Sequence, residues 1–154
     1  MDVCLLADHP GLATTLGQWH HAQWRHLFPD WTLEQTTDEL RDHASRRIKP
    51  TTLVAIVAGE PLGSVSLLDE DAPEFRDRGD AWLASLYVVP AVRGRGLGRT
   101  LVQALVAFAA EQRVERLWLF TPEHASFYAR LGWRPQGSAT LRGIPVHLMD
   151  IVPA

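Results

Sequence analysis

The chain has 154 residues, 46% hydrophobic and 21% charged, which suits one globular domain long enough to bury a core. A formal charge of −3 and an isoelectric point near 6.1 argue against a general nucleic-acid binder, whose domain is usually basic. No apolar run reaches a membrane span, MDVCLLADHPG carries an acid where a signal peptide has basic residues, and the single Cys4 permits no internal disulfide. The expectation is a cytoplasmic chain that binds neither nucleic acid nor membrane. Cys4, inside VCLL, reads as an inert core thiol rather than a nucleophile.

In chain order, residues 3–7 read as a short strand. Asp8 can cap a helix from about Pro10 to His26, with Leu12, Leu16 and Trp19 on one face. A second helix spans roughly Leu33 to Arg47 around Leu33, Leu40, Ala44 and Ile48, and Pro50 stops it. The period then changes: TTLVAIVA, Gly59-Glu60-Pro61 and LGSVSLL form a β-hairpin pattern. A polar loop from Asp69 to Asp80 follows, then the strand AWLASLYVV, which Pro90 ends for want of an N–H. Leu101, Leu105 and Phe108, with Val102, Val106 and Ala109, mark a helix packed on two sides. RLWLFT is a continuous apolar run of the kind found in buried strands. Thr121 as N-cap and Pro122 at the first helical position open a short helix that Gly132 closes, and GIPVHLMDIV gives a last strand. No repeat or linker interrupts the chain, so a single domain over residues 1–154 is expected, of mixed α/β class around a central βαβ unit.

Between the strand AWLASLYVV and its helix lies RGRGLGR, Arg93 to Arg99, with three glycines and three arginines. Backbone N–H groups at a helix N-terminus bind anions, most often phosphate. A dinucleotide fingerprint needs G-x-G-x-x-G, but after Gly94 and Gly96 the third glycine position holds Arg99. A Walker A loop needs four residues between its glycines and then lysine; here three separate Gly94 from Gly98, and Arg99 follows. Both nucleotide readings fail on spacing.

The pattern R-x-x-G-x-G, carried by Arg93, Gly96 and Gly98, resembles the acyl-CoA-binding motif of the GNAT superfamily of N-acetyltransferases. The likeness runs from Trp82 to Met149 and includes LWLFTPEHASFYARLGW and GIPVHLM; the first fifty or so residues match only loosely. It implies an α/β (α+β) fold with a mixed, mostly antiparallel central sheet flanked by helices, whose splayed central strand pair forms the acyl-CoA cleft. It further implies acetyl-CoA as cosubstrate, with its pyrophosphate among the amides of Arg93, Gly94, Arg95, Gly96, Leu97, Gly98, Arg99 and Thr100. The pantetheine arm would lie along the backbone of Leu86, Tyr87 and Val88 like an added strand. The arginines would add positive charge, with ordinary surface roles open to each.

The reaction implied is transfer of acetyl from acetyl-CoA to a primary amine of a small molecule or peptide by direct attack. A non-catalytic acyl-CoA-binding module is the alternative, because it would carry the same loop. In FYARLGW, Tyr128 matches the tyrosine by which many GNAT enzymes protonate the departing thiolate; its residue type alone also allows a core aromatic beside Phe127. The resemblance places the oxyanion donor at a backbone N–H near Val88. Relatives often carry a glutamate base on the strand before the loop, and AWLASLYVV has no acid. Asp80, another acid of the preceding loop acting through water, or a histidine of the first helices is left for that role, and an amine already partly neutral needs none. His20, His21 and His26 lack the partners of a metal site and read as solvated or capping residues. His124 precedes Tyr128 by one helical turn and can line the thiol end of the cleft or serve only as a helix-start polar residue. Trp19, Trp24, Trp31 and Trp82 are core or a substrate wall.

The loop Asp69–Asp80 holds six acids against Arg76 and Arg78, and its end should border the substrate side of the cleft. It is either a solvated loop or an attractor for a cationic amine. Oligomeric state is left at monomer or homodimer.

Overall fold

The computed structural model describes residues 1–154. Its strands are β1 (Asp2–Leu5), β2 (Thr51–Val57), β3 (Glu60–Leu68), β4 (Trp82–Val88), β5 (Leu117–Thr121), β6 (Arg134–Leu141) and β7 (Ile144–Ile151). They form one sheet in the order β1-β2-β3-β4-β5-β7-β6. Every pairing is antiparallel except β4 with β5. The helices are α1 (Ala13–Trp24), α2 (Leu33–His43), α3 (Leu97–Glu111) and α4 (Ala125–Arg130). This is the mixed, mostly antiparallel sheet that the resemblance implied.

Alternation along β2 and β3 divides the core between the two faces. Leu53, Ala55, Val65 and Leu67 pack with Leu101, Val102 and Leu105 of α3. Val54 and Ile56 face the other way and meet Leu16 of α1 and Leu40 of α2. Fully burying each such leucine contributes about 1.5–3 kcal/mol. The β2–β3 hairpin turns at Ala58 and Gly59, both at positive φ (50° and 81°), so β3 begins at Glu60. That pair of angles suits a two-residue turn matched to strand twist.

The helical layer on the α1–α2 face departs from the sequence reading. Two short 3-10 turns, Leu6–Asp8 and Pro10–Leu12, precede α1, and Asp8 pairs with Arg47 at 2.7 Å instead of capping it. Helix α2 ends at His43, and Leu33 and Ile48, expected on its apolar face, are exposed. Thr36, Thr37 and His43 are buried there in their place. The threonine hydroxyls donate to Thr32 O and Leu33 O (2.9 and 2.8 Å), which satisfies them without water. Thr37 also meets α1 so closely that a Cβ on Gly17 would lie 2.7 Å from its Oγ1. Thr32 and Gln35 cap α2 reciprocally.

Strand β6 was not legible as a strand. RPQGSATL lacks apolar alternation, but it is an edge strand, where proline and a register break between Pro135 and Ser138 are tolerated. Buried Asp150 of β7 draws it in, accepting from Arg134 and Gln136 as well as from Arg116. Helix α4 begins at Ala125, later than expected; Thr121 Oγ1 accepts from the His124 N–H at 3.0 Å and so caps the turn that leads into it.

Two features open the sheet in the middle. The parallel pair β4–β5 is in register only at Trp82 and Trp118, whose rings lie 6.1 Å apart at the closed end. Along β4, Ala84 and Tyr87 face Ser66 and Ser64, so one extra residue sits on β4. It includes Ser85 at φ 56°, a conformation that few side chains adopt. Such a bulge bends its strand. Beyond Trp82, the β4 edge that faces β5 is left unpaired.

Candidate active site

The loop after β4 meets the cleft from above. Gly94 (φ 79°) and Gly96 (φ 84°) hold left-handed angles that disfavour any other residue, and Gly96 is the N-cap of α3. Gly98 differs: a Cβ built there meets nothing nearer than Phe127 Cζ at 3.7 Å. The protein leaves room for a side chain at this position. No side chain caps α3, and the amides of Leu97, Gly98 and Arg99 have no protein acceptor; Thr100 N–H reaches Gly96 O at 3.1 Å. These free donors at the positive end of a 15-residue helix can receive an anion. The three arginines divide. Arg93 Nε donates to Val88 O at 2.7 Å with its guanidinium 5.4 Å from the Tyr87 ring centroid, so it braces the end of β4. Arg95 and Arg99 are exposed and form no ion pair.

A cavity of about 800 Å³ takes in Ala84, Ser85 and Leu86 of the bulged β4, while Tyr87, Val88 and residues 93–100 are not part of its lining. Tyr128 of α4 lines it. This side chain is only 7% exposed, packed edge-on to Phe127 and Trp133 at 5.0 and 5.9 Å. Its hydroxyl has no hydrogen-bond partner in the protein, so the aromatic body is core and the polar tip faces the cavity. The ring is packed as a core aromatic, and the hydroxyl is placed where a hydrogen-bond donor to a ligand in the cavity would have to be. Burial first, and then the nearby charge of Asp71, pushes its phenol above the ordinary tyrosine range.

The charged part of the lining is mostly acidic. Asp30, Glu39, Glu70 and Asp71 line the cavity, and its one Lys or Arg side chain is Arg142. Burial pushes Asp71 up to about 7, helped by the charge of Glu39. Burial likewise pushes Glu39 up to about 7, helped by Asp42. Two carboxyls poised near neutrality therefore face the same space as the tyrosine hydroxyl. The start of the acidic loop borders the cavity, not its end. Asp80 lies elsewhere, its carbonyl accepting from Lys49 Nζ at 2.5 Å.

The histidines of the first helix do not line the cavity. His20 is buried beneath the sheet with Nε2 3.1 Å from Ser64 Oγ, and burial holds its pKa down at about 3. His43 pairs through Nδ1 with Thr52 Oγ1 at 2.9 Å, which continues to Ser66 Oγ at 2.7 Å. These are neutral core groups that satisfy strand hydroxyls. His124 does line the cavity. Among the tryptophans, Trp82 is core, Trp24 and Trp31 form cavity wall, and Trp19 stacks on Tyr87 at 5.1 Å. Cys4 is half-buried, its thiol raised by burial, as expected of an inert side chain. Glu39 and Asp30 were absent from the sequence reading. The signal available for Glu39 was its position one turn after Gln35, which puts both on one polar stripe of α2.

The profile of the Acetyltransferase (GNAT) family matches residues 14–133. This chain belongs to the GNAT acetyltransferase family. Members of that family use acetyl-CoA as cosubstrate. The GNAT fold is also seen in the solved structures it resembles. An aminoglycoside 6'-acetyltransferase type Ii superposes with a TM-score of 0.76 at 18% identity, covering 100% of this chain and 98% of that one. A ribosomal-protein-alanine N-acetyltransferase from Brucella melitensis gives 0.75 at 21% identity over 99% of each chain. An aminoglycoside 6'-N-acetyltransferase complexed with coenzyme A gives 0.75 at 16% identity, covering 100% and 98%. Mouse N-alpha-acetyltransferase 80 is 42% identical over 50 residues, a stretch that is 32% of this chain and 16% of that protein. No helix of this GNAT chain is long and apolar enough to cross a membrane.

Proposed function

We propose that the protein is an acetyl-CoA-dependent N-acetyltransferase that acts, as a single domain, on a cationic primary amine of a small molecule or peptide. One observation carries the reading: the unpartnered Tyr128 hydroxyl and an acidic wall face one cavity beside a loop of free amides. The free amides of residues 94–99 receive the pyrophosphate, those of Arg93 and Thr100 being engaged by Pro90 O and Gly96 O, and the open edge of β4 at Leu86, Tyr87 and Val88 receives the pantetheine arm. The amine enters from the acidic side as an ammonium, because an alkyl amine has a pKa of about 10.4. Asp71 takes its proton. The freed nitrogen attacks the thioester carbonyl, the C–S bond breaks, Tyr128 hydrogen-bonds the departing sulfur, and the second proton of the nitrogen passes through solvent to that sulfur, leaving amide and thiol. A thiol of pKa about 8.5 is a stronger acid than a phenol of about 10, so donation of a hydrogen bond outweighs full proton transfer.

The test is thiol release from acetyl-CoA in the presence of spermidine, kanamycin and an alanine-initiated peptide. Release with the polycations ahead, and weakened by salt, is the expected outcome, since surface fields are screened within about 8 Å at physiological ionic strength. Coenzyme A binding without release across that panel would mark a binding module.

The base assignment has its own pH signature. Asp71 must be ionised to accept a proton, and its carboxyl is raised to about 7, so kcat/KM should climb as pH rises through that value. Asp71→Asn should remove this limb and lower the rate at neutral pH by roughly 10²-fold or more, leaving a rise governed by the amine itself. A wild-type profile in the variant would return the role to Glu39 or to solvent.

A further inference from the structure

The turn between β6 and β7 is two residues, Arg142 and Gly143, both at positive φ (50° and 84°). That conformation aims the Arg142 side chain away from its own hairpin. Its Nη1 donates to Leu27 O at 3.0 Å, its Nε donates to Glu74 at 3.2 Å, and its guanidinium stands 4.7 Å from the Phe28 ring centroid. Three distant segments meet on one fork: the partners lie 115 and 68 residues away in sequence. All three segments contribute cavity wall, through Leu27 and Phe28, Pro73, and Arg142 itself.

The segment from Arg25 to Thr32 needs such a pin. It joins α1 to α2 without regular structure, yet it supplies Phe28, Asp30 and Trp31 to the cavity. Within it, Phe28 and Trp31 pack edge-on at 5.7 Å, so fixing Phe28 fixes Trp31 as well. A planar guanidinium can bond two acceptors and stack on an aromatic face at once, which a lysine ammonium cannot. Because the Glu74 carboxylate pairs with its Nε, the arginine's positive charge is partly offset at an otherwise acidic site.

We infer that Arg142 is a positioning residue for the amine acceptor: it locks the α1–α2 segment against the β3–β4 loop and the β6–β7 turn and so shapes the acceptor wall. This rests on the proposed acetyl transfer for its kinetic readout, but not for its structural one. Arg142 is far from the amide loop in chain and contacts, so coenzyme A binding does not depend on it.

Three measurements on Arg142→Ala test this. Hydrogen–deuterium exchange of peptides covering residues 25–32 should quicken by about tenfold or more while α3 and β4 keep their protection, because local opening follows lost anchoring contacts. With the best amine of the panel, KM for the amine should rise by roughly tenfold or more with kcat within about threefold, as expected when ground-state positioning is lost. Coenzyme A affinity by calorimetry should stay within about twofold. Arg142→Lys keeps the charge but loses fork and stack, and should fall between wild type and alanine even if the alanine variant folds poorly. Unchanged exchange in residues 25–32, unchanged amine KM, or equal losses for amine and coenzyme A would each overturn the assignment. If no amine on the panel reacts, the acetyl-transfer reading fails, and the exchange result still decides whether Arg142 is the pin.

Discussion

Tyr128→Phe is expected to lower turnover by roughly 10²–10³ while acetyl-CoA affinity changes no more than a few-fold, the loss typical of one preorganised hydrogen-bond donor. The variant deletes one oxygen. The ring that packs against Phe127 and Trp133 is kept, so the fold should not register the change. Its hydroxyl leaves no protein partner behind, so no buried acceptor is orphaned, and stability should hold or rise slightly. Steady-state kinetics with the best amine, beside a thermal melt, checks both halves. The environment sets the direction as well: burial and Asp71 raise the phenol's pKa, so it stays protonated through the working range and is a donor whenever the thiolate forms. Wild-type turnover in Tyr128→Phe would make the residue a core aromatic and nothing else.

Gly98→Asp should abolish measurable coenzyme A binding in a protein that remains folded. The room around this glycine sets the outcome. Gly94 and Gly96 hold left-handed angles, so replacing them risks the turn as well as the ligand. Gly98 is helical and uncrowded, its nearest neighbour to a new Cβ being Phe127 at 3.7 Å. An acid in the first turn of a helix is itself favourable by about 0.3–1 kcal/mol. The fold should therefore accept aspartate, while a pyrophosphate at the same amides meets a side chain and a like charge. Calorimetric titration with coenzyme A, paired with a melting curve, separates the two effects. Unchanged affinity would mean that the free amides of Leu97, Gly98 and Arg99 serve only as a helix end. Gly98→Ala is the milder companion: it fits the space and should weaken binding without the charge.

These two variants draw on parts of the molecule that the sequence made legible. The glycine spacing, the helix after it and FYARLGW are local patterns, written in residues that are neighbours in the chain. Local sterics and hydrogen bonding set them, so the loop, α3 and the place of Tyr128 in a short helix could be read directly. Asp71 was legible only as one of six acids in a loop.

What sequence alone determined, then, was the mixed α/β class and the glycine loop that opens a helix, because each rests on backbone geometry and side-chain period over a few residues; Tyr128 was singled out by the resemblance of FYARLGW to the GNAT motif. Tertiary structure alone decided that β4 and β5 part after Trp82 and Trp118, and that Glu39, Asp71 and Tyr128 share one cavity. It also decided that Arg142 reaches Leu27 across 115 residues. Such meetings depend on which faces bury against each other and on how loops close, and neither leaves a periodic trace. The same cause hid β6, a polar edge strand held by buried Asp150, and misplaced the buried face of α2, where threonines satisfy their own hydroxyls on the helix backbone.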